Sequence, residues 1–309
     1  MINVLFAARS ERWDTYEAPL RAAFAKAGLD VDLRTEFAPE EVDYIVYAPN
    51  SEVQDFTPYT RCKAVLNLWA GVEAITGNKT LTQPLARMVD PGLTNGMVEW
   101  VTGHTLRHHL GMDRHITGQT GEWVVTTPPL ARERRVTILG IGALGASCAH
   151  ALTGLGFPVT GWSRSPKDVD GITCLHGDDG LKQALETADI LILLLPDTPA
   201  TQNVINAEAL SRMPKGAFII NPGRGPLIDD EALIAALDSG QIAHATLDVF
   251  RVEPLPADHP FWAHPKVTVT PHIAAETRPE TASEVIAENI QRGEAGQPFL
   301  NLVDRARGY

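Results

Sequence analysis

Val136-Thr137-Ile138-Leu139-Gly140-Ile141-Gly142-Ala143-Leu144-Gly145 sets four residues of strand character against three glycines in the order G-x-G-x-x-G, and an Ala-rich helical stretch follows. Strand, tight turn and helix is the context in which this spacing carries chemistry. Gly140 permits the turn, Gly142 lets the backbone approach a pyrophosphate, and Gly145 allows the helix to pack close to the strand. The first helical turn, at Ala143 and Leu144, then offers free N–H groups and the positive end of the helix dipole to phosphates. A dinucleotide site is implied.

Outward from that stretch the rhythm is regular. Strand-like runs at 136–139, 159–162, 190–195, 218–220, 245–247 and 267–269 are mostly separated by helical or loop patterns, as in a parallel, doubly wound (Rossmann) sheet. Upstream, strand-like 2–7, an amphipathic stretch at 13–26, and strand-like 44–47 and 64–68 form a smaller α/β unit, for which a flavodoxin-like arrangement is expected. Asp90-Pro91-Gly92 reads as a break, with Asn95 capping a linking helix whose positions Met97, Val101, Thr105 and Leu106 recur at helical spacing. A last amphipathic helix carries Val285, Ile286 and Ile290, and the tail from Phe299 returns to the first unit. The expected division is 1–98 with 281–309 as the substrate domain and 99–280 as the dinucleotide-binding domain.

Which dinucleotide is read at the next strand end. NAD sites place an acidic residue about 20 residues beyond the glycines to hold the ribose 2′-OH. Here the position holds Trp162-Ser163-Arg164-Ser165. Arg164 suits a 2′-phosphate, Ser163 and Ser165 can donate to it, and no carboxylate repels it. NADPH is the expected cofactor, with NADH weaker; Lys167 reads as a surface lysine able to assist.

Ligands of open parallel sheets bind beyond the carboxyl ends of the strands. Three chemistry-bearing side chains follow such ends: Arg224 in Asn221-Pro222-Gly223-Arg224-Gly225, Glu253 in Asp248-Val249-Phe250-Arg251-Val252-Glu253-Pro254, and His272 in Thr270-Pro271-His272. Reducing a 2-keto acid needs a cation for the carboxylate and a proton donor at the carbonyl oxygen. Arg224 and His272 supply them, and Glu253 bonded to His272 would raise the imidazole pKa.

Composition narrows the alternatives. With 309 residues, 44% of them hydrophobic and 21% charged, the chain is long enough for two domains with a core each. A net charge of −12 disfavours nucleic acid and anionic membranes as partners. The N-terminus reads as a strand and no apolar run spans a bilayer, so neither export nor membrane insertion is expected. Cys62, Cys148 and Cys174 are far apart in sequence, which suits a reducing cytoplasm. His104, His108 and His109 lack a carboxylate at metal-ligand spacing, so no metal site is expected. Trp123 fits either an ordinary core or an arm around a partner subunit.

Six segments together resemble the D-isomer-specific 2-hydroxyacid dehydrogenase family across nearly the whole chain. They are Leu66-Asn67-Leu68-Trp69-Ala70-Gly71-Val72-Glu73, the glycine loop, Leu194-Leu195-Pro196-Asp197-Thr198-Pro199-Ala200-Thr201, Asn221-Pro222-Gly223-Arg224-Gly225, Leu247-Asp248-Val249-Phe250 and Pro271-His272-Ile273-Ala274-Ala275. Within it, Trp162-Ser163-Arg164, Glu253-Pro254-Leu255-Pro256 and the ending Val303-Asp304-Arg305-Ala306-Arg307-Gly308-Tyr309 are similar to the bacterial glyoxylate/hydroxypyruvate reductase A group, which uses NADPH. The resemblance implies Arg224 as substrate-orienting cation, His272 as proton donor and Glu253 as its partner. It implies the amides of Ala70, Gly71 and Val72 as carboxylate binders, with Trp69 shaping the substrate pocket. Asp248 is implied against the nicotinamide amide, and Leu195, Pro196, Thr201, Pro222, Gly223, Ala274 and Ala275 along the cofactor. A homodimer through the nucleotide-binding domains is also implied. Trp69 and Glu73 depart from the family's usual small residue and aspartate. Two other readings stand beside this one: an NAD-dependent 3-phosphoglycerate, lactate or formate dehydrogenase, and a corepressor-like NAD(P)-binding protein with little turnover. Ser163-Arg164 argues against the NAD enzymes, and Glu253 stands where formate dehydrogenases carry glutamine.

Overall fold

The computed structural model describes residues 1–305. The end of the reductase-like tail, 306–309, lies outside the described residues. The chain forms two compact units, Met1–Leu93 with the C-terminal segment from Thr277, and Thr94–Glu276. Both are parallel α/β sheets.

In the first unit β1 (Ile2–Ala7), β2 (Val31–Arg34), β3 (Tyr44–Tyr47), β4 (Ala64–Asn67) and β5 (Leu85–Ala86) stand in the order β2-β1-β3-β4-β5. That is the flavodoxin-like order. Period-2 geometry divides the strands between two faces. Tyr44, Val46 and Leu66 pack with Leu20 and Phe24 of the helix Ser10–Lys26 and with Ile286 and Ile290 of the helix Pro279–Glu294. Ile45, Tyr47 and Val65 meet Phe56, Val72 and Ile75 on the other face. Burial on both faces explains why 44–47 reads as an unbroken apolar run.

In the second unit β6 (Val136–Leu139), β7 (Val159–Ser163), β8 (Thr173–His176), β9 (Ile190–Leu193), β10 (Ala217–Asn221), β11 (Ile242–Leu247) and β12 (Val267–Val269) run in the order β12-β11-β10-β9-β6-β7-β8. The chain reverses direction across the sheet between β6 and β9, so the glycine loop after β6 lies at the topological switch point. Ile138, Ile190 and Ile220 face Val101, Cys148 and Leu152. Leu139, Leu191 and Ile219 face Leu210, Leu233 and Leu237.

β2, β5 and β8 are absent from the strand runs read in sequence. β8 is a half-exposed edge strand without a buried apolar run, and β5 has two residues. The linking helix also starts earlier than expected, at Pro91. Asp90 Oδ1 accepts from the amides of Gly92 (2.8 Å) and Leu93 (3.1 Å), and Pro91 sits where no amide is needed. Asp90, not Asn95, is therefore the cap. Among the described residues no helix is long and apolar enough to cross a membrane.

Candidate active site

The dinucleotide loop is built as its glycines require. Gly140 has φ +106°, and a Cβ there would lie 2.4 Å from the Leu194 carbonyl oxygen. A Cβ on Gly145 would lie 2.0 Å from the oxygen of Gly140, whereas one on Gly142 would meet nothing within 4 Å. Gly145 thus closes the strand–helix contact, Gly140 admits the chain that follows β9, and Gly142 opens space over the first turn of the helix Ala143–Gly154, where as cap it has no side chain to satisfy the amides of Ala143 and Leu144. An open cradle above unsatisfied amides fits a pyrophosphate. Behind it, the Trp162 carbonyl accepts from the amides of Gly140 (2.9 Å) and Ile141 (3.3 Å).

At the end of β7 the residues divide by role. The Trp162 ring is a core residue, 6% exposed, and its Nε1 donates to the Gly177 carbonyl at 2.9 Å, so it braces the loop instead of offering a side chain to a cofactor. Ser163 Oγ donates to the Ser165 carbonyl at 2.8 Å, which shapes the turn and commits the proton expected for a phosphate. Arg164 and Ser165 are exposed beyond it. Lys167 is more than a surface lysine: its Nζ donates to the Ile141 carbonyl at 3.2 Å, tying this turn to the glycine loop and setting a second cation beside it.

The three strand-end side chains come together in the second unit. Glu253 Oε2 lies 2.7 Å from His272 Nδ1, and Glu253 Oε1 accepts from the Phe250 amide at 2.9 Å. Hydrogen bonding to Glu253 raises the His272 pKa above the ordinary imidazole value, against the opposing effects of burial and of the Arg224 charge. Burial pushes the Glu253 carboxyl up, but the bonds from His272 and the Phe250 amide pull it below its usual value. Among the described residues nothing bonds to His272 Nε2.

Arg224 leaves an extended backbone and donates from Nη1 to the Gly223 carbonyl at 2.6 Å. Its turn is held by the buried Asn221, whose Nδ2 donates to the Arg224 carbonyl (2.9 Å) and whose Oδ1 accepts from the Gly223 amide (3.1 Å). Gly223 and Gly225 press against backbone: a Cβ on Gly225 would lie 2.0 Å from the Phe250 carbonyl carbon. The loop that carries Arg224 therefore touches the one that carries Glu253.

Asp248 is placed differently from the expectation. It is fully buried, with Oδ1 accepting from the Thr270 hydroxyl (2.5 Å) and the Ile273 amide (2.9 Å) and Oδ2 from the Ala274 amide (2.9 Å). Both oxygens are used inside the fold, so the side chain organises the His272 turn. That turn holds His272 at φ +54°. Ala274 is likewise core, whereas Ala275 is half-buried. Leu195 is buried, and Thr201 Oγ1 staples its own turn by donating to the Pro196 carbonyl at 2.7 Å. Pro222 is buried beside Gly223.

In the first unit, residues 69–72 follow β4. Asn67 Nδ2 donates to the carbonyls of Trp69 (2.8 Å) and Gly71 (3.1 Å), and the Trp69 carbonyl also accepts from the Met88 amide at 3.0 Å. No described group accepts from the amides of Ala70, Gly71 or Val72. Trp69 is 38% exposed.

Residues 102–274 match the D-isomer specific 2-hydroxyacid dehydrogenase NAD binding domain. The chain belongs to the D-isomer-specific 2-hydroxyacid dehydrogenase family. Among its relatives, glyoxylate/hydroxypyruvate reductase A of Yersinia enterocolitica is 41% identical over 279 residues, covering 87% of this chain and 88% of the relative. The structure is similar to a family member from Xanthobacter autotrophicus Py2 in complex with NADPH and MES, at TM-score 0.92 and 42% identity over 100% of this chain and 99% of that one. It is also similar to the NADPH-dependent glyoxylate/hydroxypyruvate reductase of Sinorhizobium meliloti in complex with NADP and sulfate, at TM-score 0.86 and 32% identity over the full length of both chains. For a member of this dehydrogenase family, the supports Asn221 and Thr270 and the Phe250 amide went unread as site residues in sequence, and Lys167 was read only as a surface lysine able to assist. Asn221 stood inside a quoted motif, and its amide two and three residues before Gly223 and Arg224 was the available signal.

Proposed function

We propose that this protein reduces a small 2-keto acid, glyoxylate or hydroxypyruvate, to the 2-hydroxy acid with NADPH. The observation that carries the reading is the His272–Glu253 pair at 2.7 Å beyond the carboxyl ends of the same parallel sheet as Arg224 and the glycine cradle. The cradle of Gly142, Ala143 and Leu144 would hold the pyrophosphate, and Arg164 with Lys167 would serve the 2′-phosphate. The bound cofactor supplies hydride to the keto carbon. Arg224 holds the substrate carboxylate and polarises the carbonyl; in the first unit the amides of residues 70–72, from which no described group accepts, suit a carboxylate. His272, kept protonated by Glu253, gives its Nε2 proton to the carbonyl oxygen as charge develops there. Imidazolium then becomes imidazole, and bulk water restores the proton.

A panel of 2-keto acids with NADPH, followed at 340 nm, tests the reading. Turnover with glyoxylate or hydroxypyruvate is the expected result, and saturable NADPH binding without turnover of any 2-keto acid would favour the corepressor-like alternative.

We also assign a homodimer and a cytoplasmic location. The dimer is supported by residues 117–130, which have little regular structure and expose Trp123 (95%), Val125 (79%) and Leu130 (54%), apolar surface that a partner would cover. The location is supported by three unpaired thiols, of which burial pushes Cys62 and Cys148 up to about 12.

A further inference from the structure

Arg87 immediately follows β5, whose register with β4 pairs Leu66 with Ala86. Its backbone is held on both sides: its own amide donates to the Asn301 carbonyl at 3.0 Å, and the next amide, of Met88, donates to the Trp69 carbonyl at 3.0 Å. Ala86 and Met88 point into one core cluster and Leu85 into the other, so alternation puts the Arg87 side chain on the face of Leu85, where Val72 and Ile75 also pack. The side chain therefore leaves just beyond the carboxyl end of β5, on the sheet face where Val72 packs.

This cation is half-buried, and among the described residues no carboxylate, carbonyl or aromatic ring partners it. Burial lowers its pKa and no charged neighbour offsets that. An arginine remains charged under such conditions, and a partly desolvated charge without a partner is retained where a ligand completes it.

We infer that Arg87 is a further substrate-binding residue, a guanidinium held at the carboxyl end of β5 for the carboxylate that the residue 70–72 amides receive. The inference rests on the 2-keto acid reading above. Amides alone bind a carboxylate with partial charges, whereas a planar guanidinium adds a full charge and a two-donor fork. Because the carboxylate is bound alike before and during hydride transfer, Arg87 acts on KM more than on kcat.

The test uses Arg87→Met, which keeps the apolar stem, and Arg87→Lys, which keeps the charge. Glyoxylate kinetics are run at saturating NADPH, together with calorimetric binding of oxamate, an unreactive 2-keto acid isostere, to the NADPH complex. NADPH affinity measured by fluorescence reports folding of each variant. The expected result for Arg87→Met is a KM and an oxamate Kd raised about 10- to 100-fold, with kcat and NADPH affinity within about threefold of wild type and Arg87→Lys in between. Wild-type KM and oxamate affinity in Arg87→Met would overturn the assignment while leaving the reductase reading intact. Wild-type protein that binds NADPH but neither turns over a 2-keto acid nor binds oxamate would overturn both.

Discussion

At the residue scale, His272 and Glu253 define a titration with a stated sign. Reduction needs the imidazolium, and its pKa is raised by Glu253, so activity is full at low pH and falls as pH rises through a value above the roughly 6.5 of free imidazole. Oxidation of the 2-hydroxy acid needs neutral imidazole and runs the opposite way. Glu253→Gln removes the ion pair, so the fall in reduction moves to lower pH, and His272→Asn lowers turnover about 10²–10⁴-fold with NADPH binding preserved. Initial rates from pH 5 to 9 in both directions check this; superimposable profiles in the two directions would remove His272 from the role. Cofactor choice belongs to the same scale. Arg164→Ala is expected to weaken NADPH about 10- to 100-fold and NADH far less. Adding Ser163→Asp, which attracts a 2′-OH and repels a phosphate, moves preference toward NADH, as read from the ratio of kcat/KM values at fixed ionic strength.

Elements decide what the three loop glycines do, because they answer to different neighbours. A methyl on Gly145 collides with the backbone oxygen of Gly140, so Gly145→Ala strains the strand–helix contact and is expected to destabilise the fold by about 1–3 kcal/mol or more. Gly142→Ala has room in the folded chain but fills the space a pyrophosphate needs. It is expected to fold with a near wild-type urea midpoint and to lose NADPH affinity at least tenfold. Equal urea midpoints for both variants would contradict this division of labour. The β11 end shows the same principle. Asp248 has no exposed surface, yet it fixes the position of His272 through the Thr270, Ile273 and Ala274 bonds. Asp248→Ala should therefore lower kcat by loosening the proton donor, without changing the ratio of NADPH to NADH use.

On the scale of the whole molecule, buried histidines set the acid limit of stability. His108 lies 2.9 Å from Thr246 Oγ1 and stacks on Phe218, and burial lowers its pKa to about 3. His244, 2.8 Å from Thr268 Oγ1, is lowered to about 4, again by burial. Arg107 and His104 act in the same direction on both rings, and Asp113 opposes them. The folded chain keeps both rings neutral while the unfolded chain protonates below about 6.5, so their contribution is present above that pH and is lost as pH falls toward 4 and 3. For His108 alone the loss at pH 5 is about 2 kcal/mol. Urea unfolding at pH 7 and pH 5 measures it, and His108→Gln should shrink the difference. The exposed apolar stretch around Trp123 carries the other prediction at this scale. Wild type is expected to run at twice the chain mass in light scattering at micromolar concentration, and a monomeric mass would refute the dimer.

What sequence alone determined is what depends on near neighbours along the chain. The runs at 136–139 and 44–47 are strands with the boundaries read from sequence, because side chains buried on both faces of a parallel sheet leave a near-continuous apolar signature, and the partly buried edge strand 267–269 keeps its bounds through its β-branched residues. The glycine loop and the candidate set of Arg224, Glu253 and His272 were legible for a related reason: turn chemistry and strand ends are local events. Only the tertiary structure decided which atoms meet. Glu253 and His272 are 19 positions apart, and their 2.7 Å contact needs the bond of Glu253 to the Phe250 amide and the bonds of Asp248 to the 270–274 turn. The same nonlocality made Asp248 an internal brace and Trp162 a core residue, tied Lys167 to Ile141, and left Arg87 charged with no partner within the described chain. Burial and hydrogen-bond partnership are properties of the assembled sheets, and residue order does not encode them at short range.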